Sequence, residues 1–136
     1  MAYKRKKNRL PPFVPLLCRM LNHKAYIDLS ASAAKALPYF LWKVKNSDYR
    51  DERRYLEPFE FSYTEAESYG FSRKTFARVI RELVRKGFID PYERGGLKSG
   101  GFGYNKFRLS LRWEDYGKQN FERKEWYQFP PHLKER

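Results

Sequence analysis

The sequence predicts an α+β fold, mainly helical, with a small antiparallel sheet of two to three strands. Three observations predict it. Residues 72–87, SRKTFARVIRELVRKG, contain a helix start, an apolar seam and a helix stop within sixteen residues. Directly after them, Phe88-Ile89-Asp90 and Tyr104 to Leu111 alternate apolar with polar, the period of a half-buried strand. Five of the ten residues from Arg94 to Gly103 are glycine, so a flexible hairpin loop joins those strands. A chain of 136 residues suits one core with terminal extensions.

Taken in order, residues 1–12 read as a flexible basic arm ending in Pro11-Pro12, and Phe13 to Leu21 as a short extended-then-helical segment. A helix starts near Ser30 or Ser32, with Leu37, Leu41 and Val44 as its inward stripe and Phe40 beside it. Pro38 lies within it and removes one ladder hydrogen bond, which predicts a kink. Asn46 to Glu57 is charged, mixed in sign, and reads as a loop. A short strand at Pro58–Phe61 follows, and Ser62 caps a brief helix through Tyr69.

Gly70 turns the chain and Phe71 fills the corner. Ser72 caps the next helix, and Gly87 suits the left-handed turn that ends it. Phe76, Ile80 and Leu83 recur at helical spacing and share one buried face. Arg73, Lys74, Arg78, Arg81 and Arg85 then fall on the other side.

Charge is concentrated as well as large. The formal net charge is +13, and Lys4, Arg5, Lys6, Lys7 and Arg9 crowd the first nine residues. Residues 72–87 add six cations against the single acid Glu82, whereas acids outnumber bases over residues 48–71. A basic arm and one basic helix form the electrostatic footprint of a polyanion binder. The bland alternative for such a helix is a solvated surface.

The order of elements shifts that balance. Helix, strand, helix, turn, basic helix, strand, glycine-rich loop and strand is the order of a winged helix-turn-helix. In that arrangement the Ser62–Tyr69 helix crosses the DNA backbone and braces the next. The basic helix enters the major groove with its N-terminal residues nearest the bases. Ser72, Arg73, Lys74, Thr75 and Arg78 are the candidates for base contacts, and arginine bonds guanine O6 and N7 together. Arg81 and Arg85 lie further along and suit phosphates. Arg94, Lys98 and Lys106 are the wing candidates for the backbone or minor groove. Lys4, Arg5, Lys6 and Lys7 on the arm suit a groove too, or nonspecific RNA contact.

Residues 61–90, FSYTEAESYGFSRKTFARVIRELVRKGFID, with the glycine-rich loop and FRLSLRWEDYG after them, resemble small winged-helix proteins of bacteria and archaea. Some of that group belong to phages, plasmids or other integrated elements. FVPLLCRML and LSASAAKAL resemble the front end of the same group. The resemblance covers residues 13–117 and leaves residues 1–12 and 118–136 outside as a basic arm and an aromatic, charged extension. It implies binding to double-stranded DNA. The group holds transcriptional regulators and replication-initiator-like proteins, so regulation is the first expectation and replication initiation or plasmid maintenance the second. A third alternative is a winged helix that serves as a protein-interaction adaptor.

Other classes of function find little support. His23 and His132 have no ligand-spaced partners, and Glu65 and Glu67 point to different faces of one helix, so neither a metal nor a catalytic pair is expected. Residues 95–103, GGLKSGGFG, lack P-loop spacing and precede a strand. No enzyme activity and no cofactor are expected. Cys18 is the only cysteine, lies in the run PLLCRML, and reads as a buried packing thiol. Leu10 to Leu21 is broken by three prolines and Arg19, so an export signal is not expected, and the expected location is the cytoplasm, with the nucleoid. No apolar run approaches the roughly 20 residues of a membrane span.

Trp113 and Tyr116 are expected to pack against the end of the last strand. Phe121, Trp126, Tyr127 and Phe129 are expected to fold back as core, with a dimer contact or a partner-binding patch as the alternative. A homodimer on two half-sites would suit the DNA reading, although no leucine seam announces one.

Overall fold

The ring of Phe40 is the hub of the core. In a computed structural model of the chain it lies 4.7 Å from Phe61, 5.5 Å from Phe107, 5.9 Å from Phe76 and 6.2 Å from Phe59, between ring centroids. These rings come from four different segments, so one aromatic cluster joins the helices to the sheet. The structure describes residues 11–45, 48, 50–94 and 105–126. Among them the fold is α+β, with five α-helices and one three-stranded antiparallel sheet.

Two single-turn helices open the described chain, α1 at Cys18–Leu21 and α2 at Lys24–Ile27. The sequence reading found the first and missed the second, which is too short to show a period. His23 marks its start, where Nδ1 accepts a hydrogen bond from the Ala25 N–H at 3.0 Å. Only Met20 of α1 reaches the core. Cys18, two residues away on a single turn, therefore faces outward. It is exposed, which corrects the expectation of a buried thiol.

Helix α3 spans Ala31–Trp42, and the cap is Ser30, whose hydroxyl accepts from the Ala33 N–H at 3.2 Å. The helix continues through Pro38. Leu37 and Phe40, on either side of the proline, are fully buried, and their packing holds the turn together where one backbone donor is missing. The stretch read as a loop contains a 3-10 turn at Glu52–Tyr55 that buries Arg54.

The sheet order is β1-β3-β2, with β1 at Phe59–Glu60, β2 at Ile89–Glu93 and β3 at Lys106–Leu109. Phe59 pairs with Phe107, and Ile89 with Leu109. Strand β3 buries Phe107 and Leu109 and turns Lys106 and Arg108 outward, the alternation expected of a half-covered sheet. Between β1 and β2 lie α4 at Tyr63–Ser68 and α5 at Arg73–Lys86.

The described residues beyond β3 belong to the same core. Trp113 is stacked on Phe88, with centroids 5.9 Å apart, and Trp126 lies 5.1 Å from Phe107. Residues 118–126 thus fold back on the domain, in line with the aromatic reading. Tyr127 and Phe129 lie outside the described residues, as do the arm residues 1–10 and the loop residues 95–104.

Candidate nucleic-acid interface

Helix α5 begins and ends where its sequence says it should. The Ser72 hydroxyl accepts from the Thr75 N–H at 3.2 Å, which satisfies one free donor of the first turn. Gly87 closes the helix at φ +91° and hands its N–H to the carbonyls of Leu83 and Val84. Between these caps Phe76, Val79, Ile80, Leu83 and Val84 are buried. The seam is wider than the Phe76, Ile80 and Leu83 read from sequence. Val79 and Val84 flank that line at helical spacing and are buried with it.

The preceding helix is set by the same logic. Ser62 caps α4, accepting from the Glu65 N–H at 3.0 Å, and Gly70 takes φ +96° in the turn between α4 and α5. Phe71 is buried beside the Phe76 ring at 6.0 Å. The turn is therefore anchored by its own side chain at the point where the chain changes direction.

Four cations, Lys74, Arg78, Arg81 and Arg85, recur at steps of four, three and four. They form one exposed stripe opposite the buried face. The helix contains one acid, Glu82, and that carboxylate is turned away from the stripe. Its two oxygens accept from the Ser30 N–H and the Ser30 hydroxyl, both at 2.7 Å, which ties α5 to the start of α3. The exposed stripe is left with no carboxylate of its own helix to dilute it. Among the described residues, Lys74, Arg78 and Arg81 make no hydrogen bond or ion pair with another side chain.

The other candidates are placed differently. Arg73 flanks the stripe: its guanidinium lies over the Tyr63 ring at 5.5 Å, and Nε is 3.4 Å from Glu67 of α4. Arg85 donates Nε–H to Glu125 at 2.8 Å, so the last cation of the stripe is held by the returning C-terminal segment. Thr75 is half-buried beside Ser72. Glu65 and Glu67 do point apart, Glu65 to Lys43 at 2.6 Å and Glu67 to Arg73.

On the hairpin, Arg94 is exposed at the end of β2, while Lys98 lies outside the described residues, with Lys4, Arg5, Lys6 and Lys7. Lys106 is the first residue of β3, within the run read as a strand, with Nζ 3.5 Å from Glu93. The sequence reading missed Arg108. Its guanidinium lies 5.0 Å from the centre of the exposed Tyr92 ring, on the outer face of the same hairpin. The signal was available, since Arg108 is two residues from Lys106 and shares its face of the strand.

Among the described residues no group of three or more His, Cys, Asp or Glu is arranged to hold a metal ion, and no helix is long and apolar enough to cross a membrane. His23 has a packing role instead, edge-on to Trp113 at 5.2 Å and capping α2. Comparison with known protein families, with curated proteins and with solved structures finds no match for this chain.

Proposed function

We propose that this chain binds double-stranded DNA through a winged helix-turn-helix and acts as a sequence-specific transcriptional regulator. In this reading α4 and α5 are the helix-turn-helix, α5 is the recognition helix, and the β2–β3 hairpin is the wing. The observation that carries it is the stripe of Lys74, Arg78 and Arg81, exposed and unpaired among the described residues, opposite a fully buried seam. A surface helix kept only for solubility has no reason to divert its one acid, Glu82, to a neighbouring cap. A helix laid against a polyanion does, because every carboxylate on the contact face opposes phosphate.

Within this reading Lys74 and Arg78 lie toward the helix start, where base edges are closest, and Arg81 and Arg85 suit the backbone. Arg94 and Arg108 extend the basic surface onto the hairpin. Neutralising about six to ten phosphates makes affinity fall roughly 10³–10⁵-fold between 50 and 200 mM salt. Fluorescence anisotropy with genomic duplex fragments at two salt concentrations tests the reading. Arg78→Ala is expected to weaken specific binding more than nonspecific binding, whereas Lys98→Ala weakens both alike. Absence of any salt-sensitive duplex binding overturns the proposal.

A further inference from the structure

The far end of α5 borders a second cationic feature, which shares Arg85 with the exposed stripe but none of Lys74, Arg78 and Arg81. Lys24 of α2, the last turn of α5, and residues 116–125 enclose a cleft of about 630 Å³. Sites for small organic ligands typically span ~300–1,000 Å³, so the size fits one molecule. Six cations line the cleft against one carboxylate, Glu125, which is engaged by Arg85 at 2.8 Å.

The acids that pair with the other cations lie outside the lining. Asp28 holds Lys24 at 2.9 Å, while Asp90, Glu82 and Asp115 are 3.8–4.0 Å from Lys124, Lys86 and Lys118. None of these four carboxylates lines the cleft. Arg123 is exposed and makes no ion pair among the described residues. The lining of the space is therefore strongly cationic, with Glu125 as its one carboxylate.

Aromatic surface accompanies the charge. Tyr116 and Phe121 both line the cleft, half-buried, with ring centroids 5.5 Å apart at an interplanar angle of 84°. A purely inorganic anion gains nothing from such rings. A ligand joining phosphate to a flat heterocycle uses both features, since stacking on an aromatic side chain contributes about 1–3 kcal/mol per base.

We propose that this cleft binds a nucleotide, with its phosphates against Lys24, Lys118 and Arg123 and its base against the rings of Tyr116 and Phe121. The chemistry recognised is a phosphate next to a base, supplied either by a free nucleotide or by one unit of a strand. The inference stands apart from the duplex reading, because the unpaired stripe cations lie on the exposed face of α5 and outside the cleft.

Isothermal titration of the full chain at low salt with ATP, inorganic tripolyphosphate and a short oligothymidylate tests it. ATP or the oligonucleotide is expected to bind. Lys118→Glu combined with Arg123→Glu, both at exposed positions, is expected to weaken that binding at least about tenfold. Phe121→Leu is expected to weaken ATP while leaving tripolyphosphate unchanged, and Lys24→Glu provides a second exposed charge reversal should Phe121→Leu unfold. ATP binding identifies a free nucleotide, and oligonucleotide binding without ATP binding identifies a strand. Failure of both probes to bind, or equal binding by wild type and the double variant, overturns the proposal. Arg78→Ala with Arg81→Ala separates the two sites: it is expected to abolish duplex binding and leave this one intact.

Discussion

Arg112 donates an Nη2 hydrogen bond to the carbonyl of Val84 at 2.8 Å, adding a second donor to a carbonyl of the last turn of α5 that the Gly87 N–H reaches only at 3.2 Å. The same guanidinium reaches the Ile89 carbonyl at 3.0 Å, the Glu122 carbonyl at 2.9 Å and the Asp90 carboxylate at 2.6 Å. One side chain thus fastens the end of α5, strand β2 and the returning C-terminal segment. Its side chain is only 9% exposed. Arg112→Ala removes all four bonds and leaves Asp90 with Lys124 alone, 3.8 Å away. Breaking a buried ion pair costs about 3–5 kcal/mol, and the remaining lysine places this variant near 3. With urea m-values of about 1–3 kcal/mol/M, the unfolding midpoint falls by roughly 1 M or more. Arg112→Lys is expected to recover only part of the loss, because a single ammonium cannot span these acceptors.

Gly87 and Gly117 share a backbone conformation and differ in surroundings. Their φ values are +91° and +92°, so alanine at either pays about 1–2 kcal/mol for the left-handed region. At Gly117 a Cβ meets nothing within 4 Å, whereas at Gly87 it would come within 2.5 Å of the Trp113 nitrogen. That nitrogen also donates to the Gly87 carbonyl at 3.0 Å, so it cannot retreat without breaking the bond. Gly87→Ala is therefore expected to lower the melting temperature distinctly more than Gly117→Ala. Equal shifts in calorimetry would contradict the close approach.

Trp126 ends the described chain and is buried against Phe107. Phe107 touches Phe40 and Phe59 in turn, so the tryptophan closes one end of the aromatic cluster. Replacing a buried tryptophan by alanine costs about 3–5 kcal/mol. Trp126→Ala is expected to lose that much in denaturant unfolding. Truncation after residue 117 should lose at least as much, since it also removes the Glu125 partner of Arg85 and the Glu122 carbonyl bound by Arg112.

How much of this was legible beforehand follows from physical range. Helix α5 was read correctly to its caps because Ser72, Gly87 and the apolar spacing are local signals. The strands were placed within two residues for the same reason, except that β2 runs three residues past Asp90, and β1 joined them at the sheet edge. Cys18 was misread because its apolar neighbours do not reveal which side of a single turn meets the core. The partners of the site cations were not legible at all. Nothing in the spacing says that Glu82 caps Ser30, 52 positions away, or that Glu125 returns to Arg85. Those pairings decide which cations remain exposed and unpaired, and only the fold brings them together.

The contact between Arg73 and Glu67 tests the proposed interface from the opposite direction, by a gain. Arg73 is the first residue of α5 and is steadied by the Tyr63 ring, but Glu67 lies 3.4 Å from its Nε and opposes an approaching phosphate. The pair is solvent-exposed, at 61% for Arg73 and 47% for Glu67, so breaking it costs little stability. Exposed pairs contribute about 0.2–1 kcal/mol, which converts to at most about a fivefold change in affinity. Glu67→Gln is expected to tighten duplex binding by up to that factor at 50 mM salt. The gain should shrink at 200 mM, where screening at ~7–8 Å weakens exposed charges. Arg73→Ala is expected to weaken binding and to abolish the effect of Glu67→Gln when the two are combined, since the carboxylate then has no guanidinium to compete for. Unchanged or weaker low-salt affinity for Glu67→Gln would place duplex contacts away from this end of α5.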